Sequence, residues 1–231
     1  EAWASDEPYW GIWEYPEKEV AHLHDDMTGQ RAIELGCGTA YVSAWMARRG
    51  AEVTGIDIST EQLATARRLA ARHQTPITLL EGNAEATGLP DNAFDFAISE
   101  YGAAIWCDPR VWLVEAPRLL RPGGALVFLG HHPFVTLTTP LDGAACENVL
   151  HRPYRGMHVE NWTEVAIEPG GIEFNLTWSG WMHLFARIGF SVTGYQELFA
   201  PENATETHFG IPADWSRDYP AEQIWHLQKP T

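Results

Sequence analysis

The sequence predicts an α/β fold, a doubly wound and mostly parallel sheet with helices on both faces. Two observations carry that expectation. Between residues 31 and 130, short apolar runs alternate with segments of helical length and amphipathic spacing, the pattern of repeated βαβ units. The first junction, Arg31-Ala-Ile-Glu-Leu-Gly-Cys-Gly-Thr-Ala40, runs from an apolar strand through a glycine turn into a helix starting near Tyr41. Glycines at 36 and 38 permit positive φ and let a ligand press against bare backbone. The helix that follows offers unpaired N–H groups at its start.

The elements follow in order. Pro16 suits the first turn of a helix over about 17–26, stopped by Thr28-Gly29. Before it, Tyr9-Trp10-Gly11-Ile12-Trp13 reads either as a surface helix burying aromatics or as an aromatic lid over the glycine turn, with Tyr9 and Trp13 touching the ligand. Residues 41–49 read as a helix, 52–57 as a strand ending on Asp57, and 60–73 as a helix capped by Ser59 or Thr60. Further strands are expected at 77–80, 94–98 and 125–129, and a helix over 109–120 stopped by Arg121-Pro-Gly-Gly124. Ala125–Leu129 is apolar throughout, as a strand buried on both faces is. Residues 133–175 lose the rhythm and read as an insertion over one sheet edge. A helix near 177–188, a strand near 190–198 and a last strand near 222–228 complete the chain. The organisation expected is one domain: an aromatic helical cap (1–30), a ligand-binding core (31–130), an insertion (131–176), and a final helix with two strands (177–231).

Composition narrows the function. The formal net charge of −16 disfavours a nucleic-acid backbone or an anionic membrane as partner. No stretch approaches the roughly 20 apolar residues of a membrane span, and the start carries no signal-peptide pattern. Glu1 stands where a start methionine would, so the numbering is expected to begin inside a longer product. Three cysteines without metal-ligand spacing, and ten histidines without an H-E-x-x-H arrangement, predict no metal site and no disulfide framework. The setting expected is cytoplasmic and reducing, and the state a monomer or homodimer.

The glycine turn is shared by several nucleotide-binding folds. A dinucleotide fingerprint needs a third glycine at position 41, where Tyr41 stands, and no Gly-Lys-Ser/Thr follows. Phosphate cradling, and with it a nicotinamide dehydrogenase, is therefore disfavoured. Glu34-Leu-Gly-Cys-Gly-Thr-Ala40 instead resembles the first motif of class I S-adenosylmethionine-dependent methyltransferases, with Ala40 in place of a third small glycine. Asp57, 21 positions past Gly36, matches the acid that this family sets on the ribose hydroxyls. Gly82-Asn83-Ala84 resembles its Gly-Asp-Ala segment at the adenine, and Leu119-Leu-Arg-Pro-Gly-Gly124 its turn into the fifth strand. The resemblance covers roughly residues 31–130 and implies a Rossmann-like sheet of seven strands with a reversed last strand. It also implies S-adenosyl-L-methionine as cofactor and S-adenosyl-L-homocysteine as product. The cofactor residues implied are Glu34, Gly36, Cys37, Gly38, Asp57, Ile58, Asn83 and Ala84. Glu100, at the end of the fourth strand, faces either the ammonium group of the cofactor or the acceptor.

The Asn/Asp-Pro-Pro-aromatic signature of amide and base N-methylation is missing, since Ser99-Glu-Tyr-Gly102 stands there. A small-molecule acceptor follows, its reacting atom open among O, N and C. His131 and His132, directly after the fifth strand, are the candidate general bases, with His132 slightly favoured because Pro133 holds its backbone extended. His151, His158 and His183 are further candidates. Trp106, Trp162, Trp178 and Trp181 are either core or the wall of an acceptor pocket. Two rival functions remain: an enzyme that uses the cofactor's aminocarboxypropyl arm, and a non-catalytic binding module.

Overall fold

The computed structural model describes residues 2–165 and 170–231. Seven strands form one sheet: β1 (Arg31–Leu35), β2 (Glu52–Asp57), β3 (Thr78–Glu81), β4 (Phe94–Glu100), β5 (Leu120–His131), β6 (Ser191–Leu198) and β7 (Glu222–Gln228). Their order across the sheet is β6-β7-β5-β4-β1-β2-β3. Strands β1 to β5 run parallel, and β7 is antiparallel to both β5 and β6. The doubly wound α/β sheet with a reversed last strand is therefore the fold. The order reverses direction at β1/β4, so the carboxyl ends of these two strands open the crevice where ligands of such sheets sit.

Period-two alternation explains how the sheet buries both faces. Ile33, Leu35, Ala97 and Phe128 pack on one side with Trp112, Leu113 and Ala116 of helix Pro109–Leu119 and with Trp181, Leu184 and Phe185 of helix Trp178–Ile188. Ala32, Phe96, Ile98, Val127 and Leu129 face the other way, onto Val42, Trp45 and Met46 of helix Tyr41–Arg48. Neighbours in sequence thus serve opposite cores, which is why these strands read as continuous apolar runs. Helix Thr60–His73 begins on Ser59, whose hydroxyl accepts the Gln62 N–H.

Several elements depart from expectation. The helix over 17–26 is a single turn, Glu17–Val20. Ala21 takes a left-handed φ of 50°, and the buried Glu17 carboxylate accepts the Leu23 N–H, which turns the chain away from the helix axis. Tyr9–Trp10 pairs with Tyr15–Pro16 as a short antiparallel hairpin, so the first thirty residues are not a helical cap. The fifth strand extends over Leu120–His131 rather than 125–129. The insertion contributes a helix, Pro133–Thr138, and a hairpin, Val159–Asn161 against Ile172–Phe174. Residues 166–169 of that insertion lie outside the described ones. Two more short helices, Ala103–Trp106 and Ala213–Asp218, fall in segments that carry no helix expectation.

Candidate active site

At the carboxyl ends of β1 and β4 two turns meet through glycines. Gly36 holds φ at +74°, and a Cβ there would lie 2.5 Å from the Ala103 nitrogen; one on Gly102 would lie 2.1 Å from the Gly36 carbonyl oxygen. Only residues without side chains allow this approach. The N–H groups of Gly36 and Cys37 both donate to the Ile56 carbonyl at 2.9 Å, tying the turn to β2. Asp57 closes that strand; its carboxylate accepts the Gly38 N–H at 2.7 Å and the Ser59 N–H at 2.8 Å.

These residues border a small cleft of about 140 Å³, lined by Gly36, Ile56, Asp57, Ile58, Gly82, Asn83, Ala84, Gly102 and Trp106. Sequence reasoning places Gly36, Asp57, Ile58, Asn83 and Ala84 together, and the geometry brings all five to one cleft. Ile58 is an apolar side chain that lines the cleft and is 74% exposed. The Asn83 side-chain carbonyl already accepts the Glu85 N–H at 2.8 Å, so it has one lone pair left for a ligand.

Three expected cofactor residues stand elsewhere. Cys37 is buried in a satellite core beside Gly55 and Leu79, and burial pushes its thiol pKa up. Gly38 spends its N–H on Asp57. Glu34 is buried and accepts both the N–H and the hydroxyl of Ser43, in the first turn of helix Tyr41–Arg48. Burial dominates and raises its pKa to about 8, with the Ser43 bonds opposing and Glu100 and Asp57 adding to the rise. None of the three lines either this cleft or the larger cavity that adjoins it.

A second cavity of about 320 Å³ adjoins the cleft across Trp106, which lines both. Its floor is Tyr41, Glu100, Tyr101 and His131; its roof is the hairpin tip Gly11–Ile12; and the insertion supplies Val135, Thr136, Glu160, Trp162 and Glu173. Among the described lining residues there is no Lys or Arg. Glu100 accepts the Gly11 N–H at 3.0 Å and the Tyr41 hydroxyl at 2.5 Å. Burial raises its pKa, and those two bonds partly offset the rise. The second carboxylate at the tip, Glu222 on β7, is fully buried; one oxygen accepts the Ile12 N–H and the Tyr101 hydroxyl, and the other has no partner. Burial, ahead of the opposing Tyr101 and Ile12 bonds, lifts its pKa to about 7.

The lid expectation changes accordingly. It is the backbone at Gly11–Ile12 that faces the cavity, whereas Tyr9 packs edge-on to Trp45 and Trp13 is buried against the His208 ring. The order of the two candidate bases changes as well. His132 is fully buried: its Nδ1 accepts the Phe134 N–H and caps a short helix, and its Nε2 sits 3.3 Å from Glu197 without the alignment of a hydrogen bond. Desolvation lowers its pKa to about 3. His131 lines the cavity, with Nδ1 3.5 Å from Glu173 and its carbonyl held by the Asn175 and Gln223 amides. His151 pairs with Glu147 and His158 with Asp108, while His183 is exposed, and none lines the cavity. Trp162 and Trp106 are walls; Trp181 is core, and Trp178 packs on His132. Among the described residues no group of three or more His, Cys, Asp or Glu converges on a metal position, and no helix is long and apolar enough to cross a membrane.

Gly102 and Glu222 were missed by sequence reasoning, whereas Trp106 was expected as core or pocket wall and is a wall. Gly102 carried the only signal, a glycine just past a strand end.

The sheet order, the reversed strand and the cleft at the glycine turn are those of the class I S-adenosylmethionine-dependent methyltransferase fold. Residues 33–128 match the family model described as "Methyltransferase domain". A malonyl-[acyl-carrier protein] O-methyltransferase from Serratia marcescens is 37% identical over 101 residues, 43% of this chain and 38% of that protein. A demethylmenaquinone methyltransferase from Thermus thermophilus is 37% identical over 106 residues, 45% of this chain and 48% of that protein. The chain thus spans less than half the length of these curated relatives. An S-adenosylmethionine-dependent methyltransferase from Mesorhizobium loti superposes with a TM-score of 0.72 at 22% identity, covering 91% of this chain and 95% of that one; at that identity the likeness is one of fold.

Proposed function

We propose that the chain transfers a methyl group from S-adenosylmethionine to a small molecule, its four sequence segments working as one domain. The observation that carries this reading is the pair of adjoining cavities that share Trp106. The smaller has an acid at the end of β2, an exposed apolar side chain beside it, and bare backbone at Gly36 and Gly102. It suits a ribose and an adenine and offers nothing cationic for a phosphate. Asp57 would hold the ribose hydroxyls, Ile58 and Ala84 the adenine faces, and Asn83 its amine. Glu100, on the floor of the larger cavity, would meet the ammonium group of the methionine end. When bound, the cofactor supplies a methyl group on a sulfonium, an electrophile with a good leaving group. The chain's part is to align an acceptor in line with that bond and keep water away, and such alignment supplies much of the acceleration.

The two curated relatives carry different acceptors in their names, so the acceptor of this chain has to be read from its own larger cavity. Calorimetry with S-adenosylmethionine, S-adenosylhomocysteine and NAD tests the cofactor. Binding of the first two and not the third is expected. Asp57→Ala is expected to weaken that binding tenfold or more, through lost hydrogen bonds to a charged acceptor. Unchanged affinity in the folded variant would remove the ribose assignment. Methylthioadenosine as the product, in place of S-adenosylhomocysteine, would favour transfer or cyclisation of the aminocarboxypropyl arm.

A further inference from the structure

Resting on the methyl-transfer reading, we propose that the acceptor is an amine with an apolar or aromatic body, received by Glu173 and deprotonated by His131. The larger cavity is lined by three carboxylates, from Glu100, Glu160 and Glu173, and by no described Lys or Arg. Two of the three already have partners on the chain. Glu100 has one oxygen on the Gly11 N–H and the other on the Tyr41 hydroxyl. Glu160 is 3.0 Å from the Arg152 Nε. That guanidinium also donates to the Thr136 and Thr139 carbonyls and lies over the Trp162 ring.

Among the described residues, Glu173 has no Lys or Arg partner. Its partners are the His131 ring, 3.5 Å away, and Trp162. Burial opposes its ionisation, yet these two partners outweigh burial and hold the carboxyl below the ordinary range. It therefore carries its charge at neutral pH. It also stands directly across the short hairpin from Glu160, and like charges directly opposite destabilise a strand pair. Arg152 relieves the Glu160 side, and an ammonium in the cavity would relieve the other. An anionic acceptor would meet repulsion from both. The aromatic lining at Tyr101 and Trp106 attracts a cation through its ring faces and gives an apolar body a place to lie.

The step balances. With Nδ1–H of His131 turned to Glu173, the free Nε2 takes one proton from the ammonium R–NH3+ and leaves R–NH2. The nitrogen lone pair forms the new C–N bond as the methyl carbon leaves sulfur, whose bonding electrons stay with it as the thioether of S-adenosylhomocysteine. The product leaves as R–NH2+–CH3, and His131 Nε2 passes the proton it took to solvent and is neutral again.

Binding to the S-adenosylhomocysteine-loaded chain, measured by calorimetry, tests this without knowledge of the natural acceptor. The probes are 2-phenylethylamine, 2-phenylethanol and 3-phenylpropionate, matched in body and different in head. The amine is expected to bind at least tenfold tighter than either of the others. Glu173→Gln is expected to bring amine and alcohol within about threefold while S-adenosylhomocysteine still binds, which also shows that the variant is folded. Alcohol or acid binding as well as the amine, or an amine preference that survives Glu173→Gln, would overturn the amine assignment alone. Failure of the unaltered chain to bind S-adenosylhomocysteine would instead overturn the methyl-transfer reading, and this inference with it.

Discussion

The contact between Gly36 and Gly102 is the narrowest point of the site. A single methyl added to Gly102 would sit 2.1 Å from a backbone oxygen, and neither turn can give way without moving the strand end behind it. Gly102→Ala is therefore expected to lower affinity for S-adenosylhomocysteine at least tenfold, while Gly88→Ala, whose added Cβ meets nothing, should leave affinity unchanged. Calorimetry on both variants checks the pair; equal affinities would mean that the close approach does not shape the cleft. Ala40 shows a different use of backbone strain. It holds φ at +61° while fully buried, in the left-handed region that costs a residue with a Cβ about 1–2 kcal/mol. The position still has glycine-like geometry although the sequence has moved to alanine, so the motif was legible there but its strain was not.

At the scale of elements, the hairpin tip is held by carboxylates from two different strands, Glu100 at the end of β4 and Glu222 at the start of β7. Removing Glu222 leaves the Ile12 N–H and the Tyr101 hydroxyl without an acceptor, at a cost of about 1–3 kcal/mol for a buried group. Glu222→Ala is expected to speed amide exchange at Gly11 and Ile12 tenfold or more and to leave β1 and β4 protected. Exchange that rises equally across the sheet would show that Glu222 supports the whole fold instead of the tip. The helix expected over 17–26 failed for a related reason. Its sequence has helical composition, but the Glu17 carboxylate, placed by its bonds to Trp10 and Leu23, offers the backbone a partner that a helix would have supplied.

For the whole molecule, buried titrating groups set opposing pH limits. His22 and His132, held near 3 chiefly by desolvation against an ordinary 6.5, are neutral in the fold. Stability from this source is intact above pH 6.5 and lost as pH falls toward 3, because the unfolded chain takes up protons that the fold refuses. Glu34 and Glu222, raised by burial to about 8 and about 7 from 4.5, act the other way. Their contribution is complete below pH 4.5 and lost as pH rises to 7–8. The two kinds oppose each other between 4.5 and 6.5, so the melting temperature is expected to be highest in that window and to fall on both sides. Scanning calorimetry at pH 3.5, 5.5 and 8 checks this; a melting temperature that climbs from 5.5 to 8 would refute the buried-carboxylate half. The core from 31 to 130 was legible because strand ends, glycine turns and acids there follow local rules. The larger cavity was not, because Gly11, His131 and Glu173 come from three distant segments whose meeting no period or motif encodes. His132 and Trp13 looked suited to chemistry for their type, and only their burial reveals that they are packing.

The bond from Ile12 to Glu222 joins positions 210 apart in sequence, whereas the contacts that shape the smaller cleft all fall between residues 36 and 106. Closing a long span costs more chain entropy and is achieved later than local pairing. On the proposed reading, the berth for the methyl donor would form before the chamber for the acceptor closes, and a donor bound to the early half would act as a template for the late one.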